Sequence, residues 1–131
     1  MQSQPRPCIL AVDDEADLLA TYERLLGRQG YRVTTATTRS MALDGLGREH
    51  PVLVVADLRL ADGDGLDVVR AARALGTPPL VIVVTGFPSS ESRQQALNAG
   101  ASAYLLKPFR VATFAGLVQD LLHPQSRGPR P

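Results

Sequence analysis

Val52-Leu53-Val54-Val55-Ala56 is an unbroken apolar run that closes on a single carboxylate, Asp57. Pro51 precedes it and the Gly/Asp-rich stretch Ala61-Asp62-Gly63-Asp64-Gly65 follows, so the run is too short and too sharply bounded for a helix. A strand with one wet face would alternate apolar and polar residues. Five apolar residues in succession, three of them Val, predict a strand covered on both faces, which is the habit of parallel sheets. Two further runs share this character: Cys8-Ile9-Leu10-Ala11-Val12 ends in Asp13-Asp14-Glu15, and Leu80-Val81-Ile82-Val83-Val84 ends in Thr85-Gly86. Weaker strands are predicted at 31–35, half polar and β-branched, and at Ala103-Tyr104-Leu105-Leu106, which leads into Lys107-Pro108.

Helical spacing fills the intervals. Leu18, Leu19, Tyr22, Leu25 and Leu26 predict a first helix from Glu15, stopped by Gly27 and Gly30; Met41, Ala42, Leu43 and Leu46 predict a second over 38–46. Asp64 caps a third that carries Leu66, Val68, Val69, Ala72 and Leu75 and stops at Gly76-Thr77-Pro78-Pro79. Ser89 or Ser90 caps a fourth, mostly polar, through Asn98, with Gly100 as its stop. The fifth runs from Val111 to Leu122. Its Phe114, Leu117, Val118, Leu121 and Leu122 spread over more than one face, so part of that apolar surface is expected to stay exposed as a docking face.

Five strands alternating with five helices predict an α/β fold, a doubly wound five-stranded parallel sheet with helices on both faces. The half-polar second strand belongs at the periphery, and the order 2-1-3-4-5 satisfies that demand, with a topological switch between strands one and three. All the parallel strands then deliver their carboxyl ends to one edge. Asp13, Asp14, Asp57, Thr85 and Lys107 are predicted to converge there.

A chain of 131 residues is expected to form one domain over 8–122, burying roughly two-thirds of the surface its unfolded form exposes. Residues 1–7, with two prolines, and residues 123–131, rich in Pro, Arg, Ser and Gly, are expected to be disordered tails, the latter also a linker start. The formal net charge of +1 supplies no general attraction to nucleic acid or to acidic lipid. Cys8 is the single cysteine, so no internal disulfide forms. Residues 1–7 hold no apolar signal-peptide core, and no run approaches the roughly 20 apolar residues of a membrane helix. A cytoplasmic location is the expectation.

Carboxylates held together repel one another until a cation joins them. Few protein ligands, all oxygen, with room for water, suit Mg²⁺ better than Ca²⁺, with Mn²⁺ as the alternative. The Thr85 hydroxyl and the Lys107 ammonium suit the oxygens of a phosphoryl group on Asp57. Pro108 makes the Lys107-Pro108 bond a candidate cis peptide that aims the lysine inward.

Val12-Asp13-Asp14-Glu15, Ala56-Asp57-Leu58, Asp64-Gly65, Val84-Thr85-Gly86 and Tyr104-Leu105-Leu106-Lys107-Pro108, in this order and spacing over Cys8 to about Leu122, resemble the receiver domain of two-component response regulators. The resemblance implies the flavodoxin-like, chemotaxis-regulator-like fold. It implies a phosphoacceptor at Asp57 and a Mg²⁺ site from Asp13, Asp14, Asp57 and the backbone carbonyl of Arg59. It makes Thr85 and Lys107 ligands of the phosphoryl oxygens, Gly86 the residue that keeps the approach to Asp57 open, and Tyr104 the aromatic ring that turns inward as the threonine moves. The implied function is phosphoryl transfer from a phospho-histidine of a sensor histidine kinase or histidine phosphotransfer protein, switching the surface of the fourth helix, fifth strand and fifth helix. That surface would also serve pairing with a second copy. The domain would be a signalling module that assists its own phosphorylation and dephosphorylation, with no nucleic acid or membrane contact of its own, standing alone or as the N-terminal part of a larger regulator. Ala61 departs from the family pattern, which carries Pro there.

The competing readings fare worse. An Asp-nucleophile phosphatase wants a second Asp two residues after Asp57, where Arg59 stands. A flavodoxin-like cofactor binder wants a Ser/Thr/Gly-rich phosphate loop after the first strand, where Asp13-Asp14-Glu15 would repel phosphate. A receiver that docks without phosphorylation has no use for the complete set of site residues. A Ca²⁺ loop counted from Asp62 fails, since Asp67 stands where Gly is required and Arg73 where Glu is required. Glu15 is expected to be a first-turn helix carboxylate rather than a ligand. His50 and His123 lack ligand spacing and are expected at the surface.

Overall fold

The computed structural model describes residues 6–124. Its chain order is β1 (Cys8–Val12), α1 (Ala16–Arg28), β2 (Arg32–Ala36), α2 (Arg39–Glu49), β3 (Leu53–Ala56), β4 (Arg59–Leu60), β5 (Gly63–Asp64), α3 (Gly65–Arg73), β6 (Leu80–Thr85), α4 (Ser90–Ala99), β7 (Ala103–Leu106) and α5 (Val111–Leu122). Five strands form one parallel sheet in the order β2-β1-β3-β6-β7. With the short β4–β5 pair set aside, this is the predicted 2-1-3-4-5. The three apolar runs are the three inner strands, and every residue of β1 and β3 is buried.

The sheet separates two apolar layers. Val12, Val54, Val69, Val83 and Ala96 lie with α2, α3 and α4 on one side, and Leu19, Tyr22, Leu26, Val55, Phe114 and Val118 lie with α1 and α5 on the other. Successive side chains of a strand point to opposite faces, so Val54 and Val55 enter different layers.

Element ends differ from the sequence expectations for local reasons. β3 begins at Leu53, leaving Val52 exposed at the sheet edge. Tyr31 belongs to the turn closing α1, its N–H donating to the Leu26 carbonyl, so the β2 ladder starts with Arg32 opposite Cys8. Gly27 lies inside α1; the stop is Gly30, whose φ of 97° is left-handed. α2 extends three residues past Leu46 and ends at His50, also left-handed. α3 ends at Arg73, short of Leu75. The last helix is better covered than its spacing suggests: Phe114 and Val118 are fully buried, and Leu117, Leu121 and Leu122 pack against the same layer. The expected tails fall largely on 1–5 and 125–131, outside the described residues; Pro7 accepts a hydrogen bond from the Arg32 N–H, and His123 meets the Tyr31 hydroxyl at 2.8 Å.

The hairpin β4–β5, too short to show any periodicity, leaves Asp57 and returns to cap α3: the Asp64 carboxylate accepts from the Leu66 N–H at 2.9 Å. Gly65 passes so close to this loop that a Cβ there would collide with the Asp57 carbonyl oxygen. Asp62, at the hairpin tip, accepts from the Arg39 and Ser40 N–H groups at the N-terminus of α2 (2.6 and 3.0 Å), which holds its carboxyl below the usual range.

Candidate phosphoryl-transfer site

The carboxyl ends of β1, β3, β6 and β7 bring the expected residues together. Asp13 follows β1, Asp57 follows β3, Thr85 ends β6 and Lys107 follows β7. Neighbouring strands in parallel register end level with one another, so their first loop residues meet: Val12 pairs with Ala56, and Thr85 with Leu106. Asp13 is 1% exposed, Asp57 7% and Thr85 1%, the three buried polar residues among those described.

Lys107 organises the cluster. Its Nζ donates to Asp13 Oδ2 at 2.7 Å, to Asp57 Oδ2 at 2.9 Å and to Glu15 Oε1 at 2.9 Å. Burial by itself lowers the ammonium's pKa, but the hydrogen bonds to Asp13, Asp57 and Glu15 outweigh it and leave the pKa raised. Asp13 is also raised, through burial first; Lys107 and the Glu15 N–H, which Asp13 Oδ1 accepts at 2.9 Å, oppose this without cancelling it. The two directions agree, because one ammonium is divided among three carboxylates while burial bears on Asp13 in full. Glu15 is thus more than a first-turn carboxylate. It heads α1 without a capping hydrogen bond of its own and turns to Lys107, a contact no local pattern announces.

Asp13, Asp14 and Asp57 can place carboxylate oxygens within 4.8 Å of one another. Asp14 is exposed. An all-oxygen set with one side open to water fits a small hard divalent cation, and the Lys107 ammonium already occupies the cation's electrostatic role. The Arg59 N–H donates to Asp57 Oδ1 at 3.1 Å, which ties the following loop to the carboxylate. The Arg59 guanidinium lies 3.8 Å over the ring of Phe87, an exposed aromatic that the sequence reading did not single out.

Thr85 Oγ1 accepts from the Phe87 N–H at 3.2 Å, leaving its own proton available. Packing alone does not demand glycine at Gly86, where an added Cβ would stand 3.9 Å from Lys107 Cβ. Tyr104 is half-buried, with its hydroxyl 2.7 Å from Ser92 Oγ of α4. The Lys107–Pro108 peptide is cis. His50 and His123 are exposed, away from these groups in the chain.

Residues 9–119 match the family described as response regulator receiver domain. The transcriptional regulatory protein PrrA of Mycobacterium tuberculosis is 38% identical over 116 residues, 88% of this chain and 50% of that protein. The chain spans about half the length of the curated relatives it matches. Among solved structures, a CheY-like response regulator receiver domain protein from Methanospirillum hungatei superposes with a TM-score of 0.87 at 31% identity, covering 94% of this chain and 98% of that one. A response regulator from Burkholderia pseudomallei, solved with a phosphorylated aspartic acid, a calcium ion and citrate, gives a TM-score of 0.77 at 29% identity, covering 94% of this chain and 75% of that one.

Proposed function

The chain belongs to the response regulator receiver domains of two-component systems, and from that premise we propose that it accepts a phosphoryl group from a phospho-histidine onto Asp57. Asp13, Asp14, Asp57 and the backbone carbonyl of Arg59 would hold Mg²⁺, or Mn²⁺ in its place. The observation that carries the reading is the Lys107 ammonium shared between Asp13 and Asp57. A cation with three donors, held 2.9 Å from the nucleophilic carboxylate, stands where the phosphoryl oxygens of an acyl phosphate arrive.

An Asp57 carboxylate oxygen attacks the donor phosphorus; the O–P bond forms as the P–N bond to the histidine ring breaks, and the imidazole leaves. Lys107 turns from the carboxylates to the incoming phosphoryl oxygens. Thr85 donates its hydroxyl proton to another of them. Bound Mg²⁺ supplies the remaining neutralisation of oxygen charge. Attack of water on the same phosphorus returns Asp57 to its free form, so the domain sets its own signal lifetime.

As Thr85 moves toward the phosphoryl group, the Tyr104 ring, whose hydroxyl is hydrogen-bonded to Ser92 of α4, turns inward. The output surface in this reading is α4, β7 and α5, where Leu97, Leu106 and Val111 are exposed. A sensor histidine kinase or histidine phosphotransfer protein is the donor, a second copy of the domain is one partner for the switched surface, and the cytoplasm is the place of action. The aspartate phosphorylation named for the Burkholderia relative supports the assignment. The names of the longer relatives support a role in transcriptional regulators, with DNA contact left to other domains.

The test is labelling by acetyl phosphate in Mg²⁺, read by intact mass and by mapping of the modified peptide. One phosphoryl group on Asp57 is expected. Asp57→Asn should abolish the label and Asp14→Asn should weaken Mg²⁺ binding. Label that persists in Asp57→Asn overturns the assignment.

A further inference from the structure

The Tyr22 hydroxyl is the one buried side-chain polar atom among the described residues without a hydrogen-bond partner. Such atoms are rare in folded proteins and call for an account. Tyr22 is 1% exposed, and its ring is held from two directions, stacked on Phe109 with centroids 6.3 Å apart and tilted against Phe114 at 4.9 Å. The hydroxyl therefore cannot swing out to solvent. Its direction follows from helix geometry: side chains lean toward the helix N-terminus, and the N-terminus of α1 lies at the sheet edge that carries Asp13. Glu15, two turns earlier, lies on the same side of the helix and reaches Lys107. Phe109, on which the ring stacks, stands two residues beyond Lys107, and burial first, then the Asp13 charge, raises the hydroxyl's pKa.

We propose that Tyr22 is a positioning residue for the phosphoryl-transfer site, its hydroxyl donating to the Asp13 carboxylate, directly or across one water, when a divalent cation draws Lys107 away. The inference rests on the cation and phosphoryl site proposed above. It follows from counting donors. The ammonium has three protons, and Asp13, Asp57 and Glu15 take all three. A divalent cation among Asp13, Asp14 and Asp57 repels Lys107 and competes for the same oxygens. Glu15, being exposed, replaces its lost donor with bulk water. Asp13 Oδ2, on a residue 1% exposed, would give one lone pair to the cation and has no bulk water to replace the outer hydrogen bond that Lys107 supplied, while Oδ1 is served by the Glu15 N–H. Tyr22 brings to this edge a buried donor with no other acceptor. A buried donor without an acceptor thus matches a carboxylate that would gain a cation and lose the hydrogen bond that orients it.

The experiment compares wild type with Tyr22→Phe, which removes the hydroxyl and keeps the stacked ring. Calorimetry with Mg²⁺ alone gives the Kd, thermal unfolding without metal gives Tm, and acetyl phosphate gives the labelling rate. The expected result is an unchanged or raised metal-free Tm, a Mg²⁺ Kd about tenfold weaker, as is typical when a metal ligand loses its outer hydrogen bond, and slower labelling. A Kd within about twofold of wild type, less than one hydrogen bond to a charged group is worth, overturns the proposal whatever the Tm does. Tyr22→Leu, which also loses the stacking, separates packing from the hydroxyl: it should lower Tm well below that of Tyr22→Phe while weakening Mg²⁺ to a similar degree. If wild type binds Mg²⁺ and takes no label, the phosphoacceptor reading fails, and the comparison of Kd values still decides the role of Tyr22.

Discussion

Lys107 shows how a single side chain can settle the charge of a site. Its side chain is 15% exposed and it neutralises Asp13, which is almost wholly buried. Removing one member of a buried ion pair strands the other, so Lys107→Met should lower stability at pH 7 by about 3 kcal/mol, the low end for a pair whose cation is partly exposed. Mg²⁺ should restore more of it in the variant than in wild type. The pH dependence has a definite sign. The folded-state pKa of Lys107 lies above the unfolded value, so its contribution is complete below about pH 10.4 and is lost as pH rises through the folded pKa. Asp13 acts in a lower window with the same slope: its pKa is raised, so stability falls as pH rises through that value and the buried carboxyl ionises. Denaturant unfolding across pH, with and without Mg²⁺, checks this. Equal stabilities of the two proteins at pH 7, or an alkaline loss that persists in Lys107→Met, would show that the ammonium is not the neutralising group.

Among the elements, α4 is the weakly held one. Ala96 is its one fully buried residue, against Leu19, Tyr22 and Leu26 in α1. Its ends are well formed, with Ser89 accepting from the Ser92 N–H and Gly100 in the left-handed region, so what it lacks is packing rather than caps. The Ser92–Tyr104 hydrogen bond is its side-chain tie to β7. Hydrogen exchange in α4 should be faster than in α1, and Ser92→Ala should accelerate it by about fivefold, the effect of one hydrogen bond near 1 kcal/mol on local opening. Exchange in α1 should not change. A uniform change in both helices would place the opening in global unfolding and remove α4 as a separately mobile element. α2 is the contrasting case, since Thr38 and Asp62 together satisfy the N–H groups of Arg39, Ser40 and Met41.

The whole molecule is two apolar layers sharing one sheet. Adjacent residues of β3 face opposite layers, so neither layer can loosen without disturbing the strand that carries Asp57. Phe114, fully buried and in ring contact with both Tyr22 and Phe109, anchors the α1/α5 layer. Phe114→Ala should cost about 3–5 kcal/mol. The loss should appear in one cooperative transition, with backbone circular dichroism and tyrosine fluorescence changing together. Transitions that separate in the variant would mean that the layers fold as distinct units.

Sequence alone determined the parallel sheet, its strand order and the edge at which the carboxylates, Thr85 and Lys107 gather, because continuous apolar runs, helical spacing and caps such as Asp64 and Ser89 are local signals carried by neighbouring residues. It also placed Asp13, Asp14, Asp57, Thr85 and Lys107 at the ends of those runs. The tertiary structure alone decided which atoms meet. The Lys107–Glu15 pair joins residues 92 apart, and Asp62 caps a helix that begins 23 residues earlier. The β4–β5 strands are two residues each, below the length at which alternation can be read. Helical spacing put Tyr22 on the apolar face of α1, but the isolation of its hydroxyl depends on where Phe109 and Phe114 lie after the chain has crossed the sheet. Backbone pattern is set by residues a few positions apart; hydrogen-bond partners across a sheet edge are set by the loops that bring distant residues together.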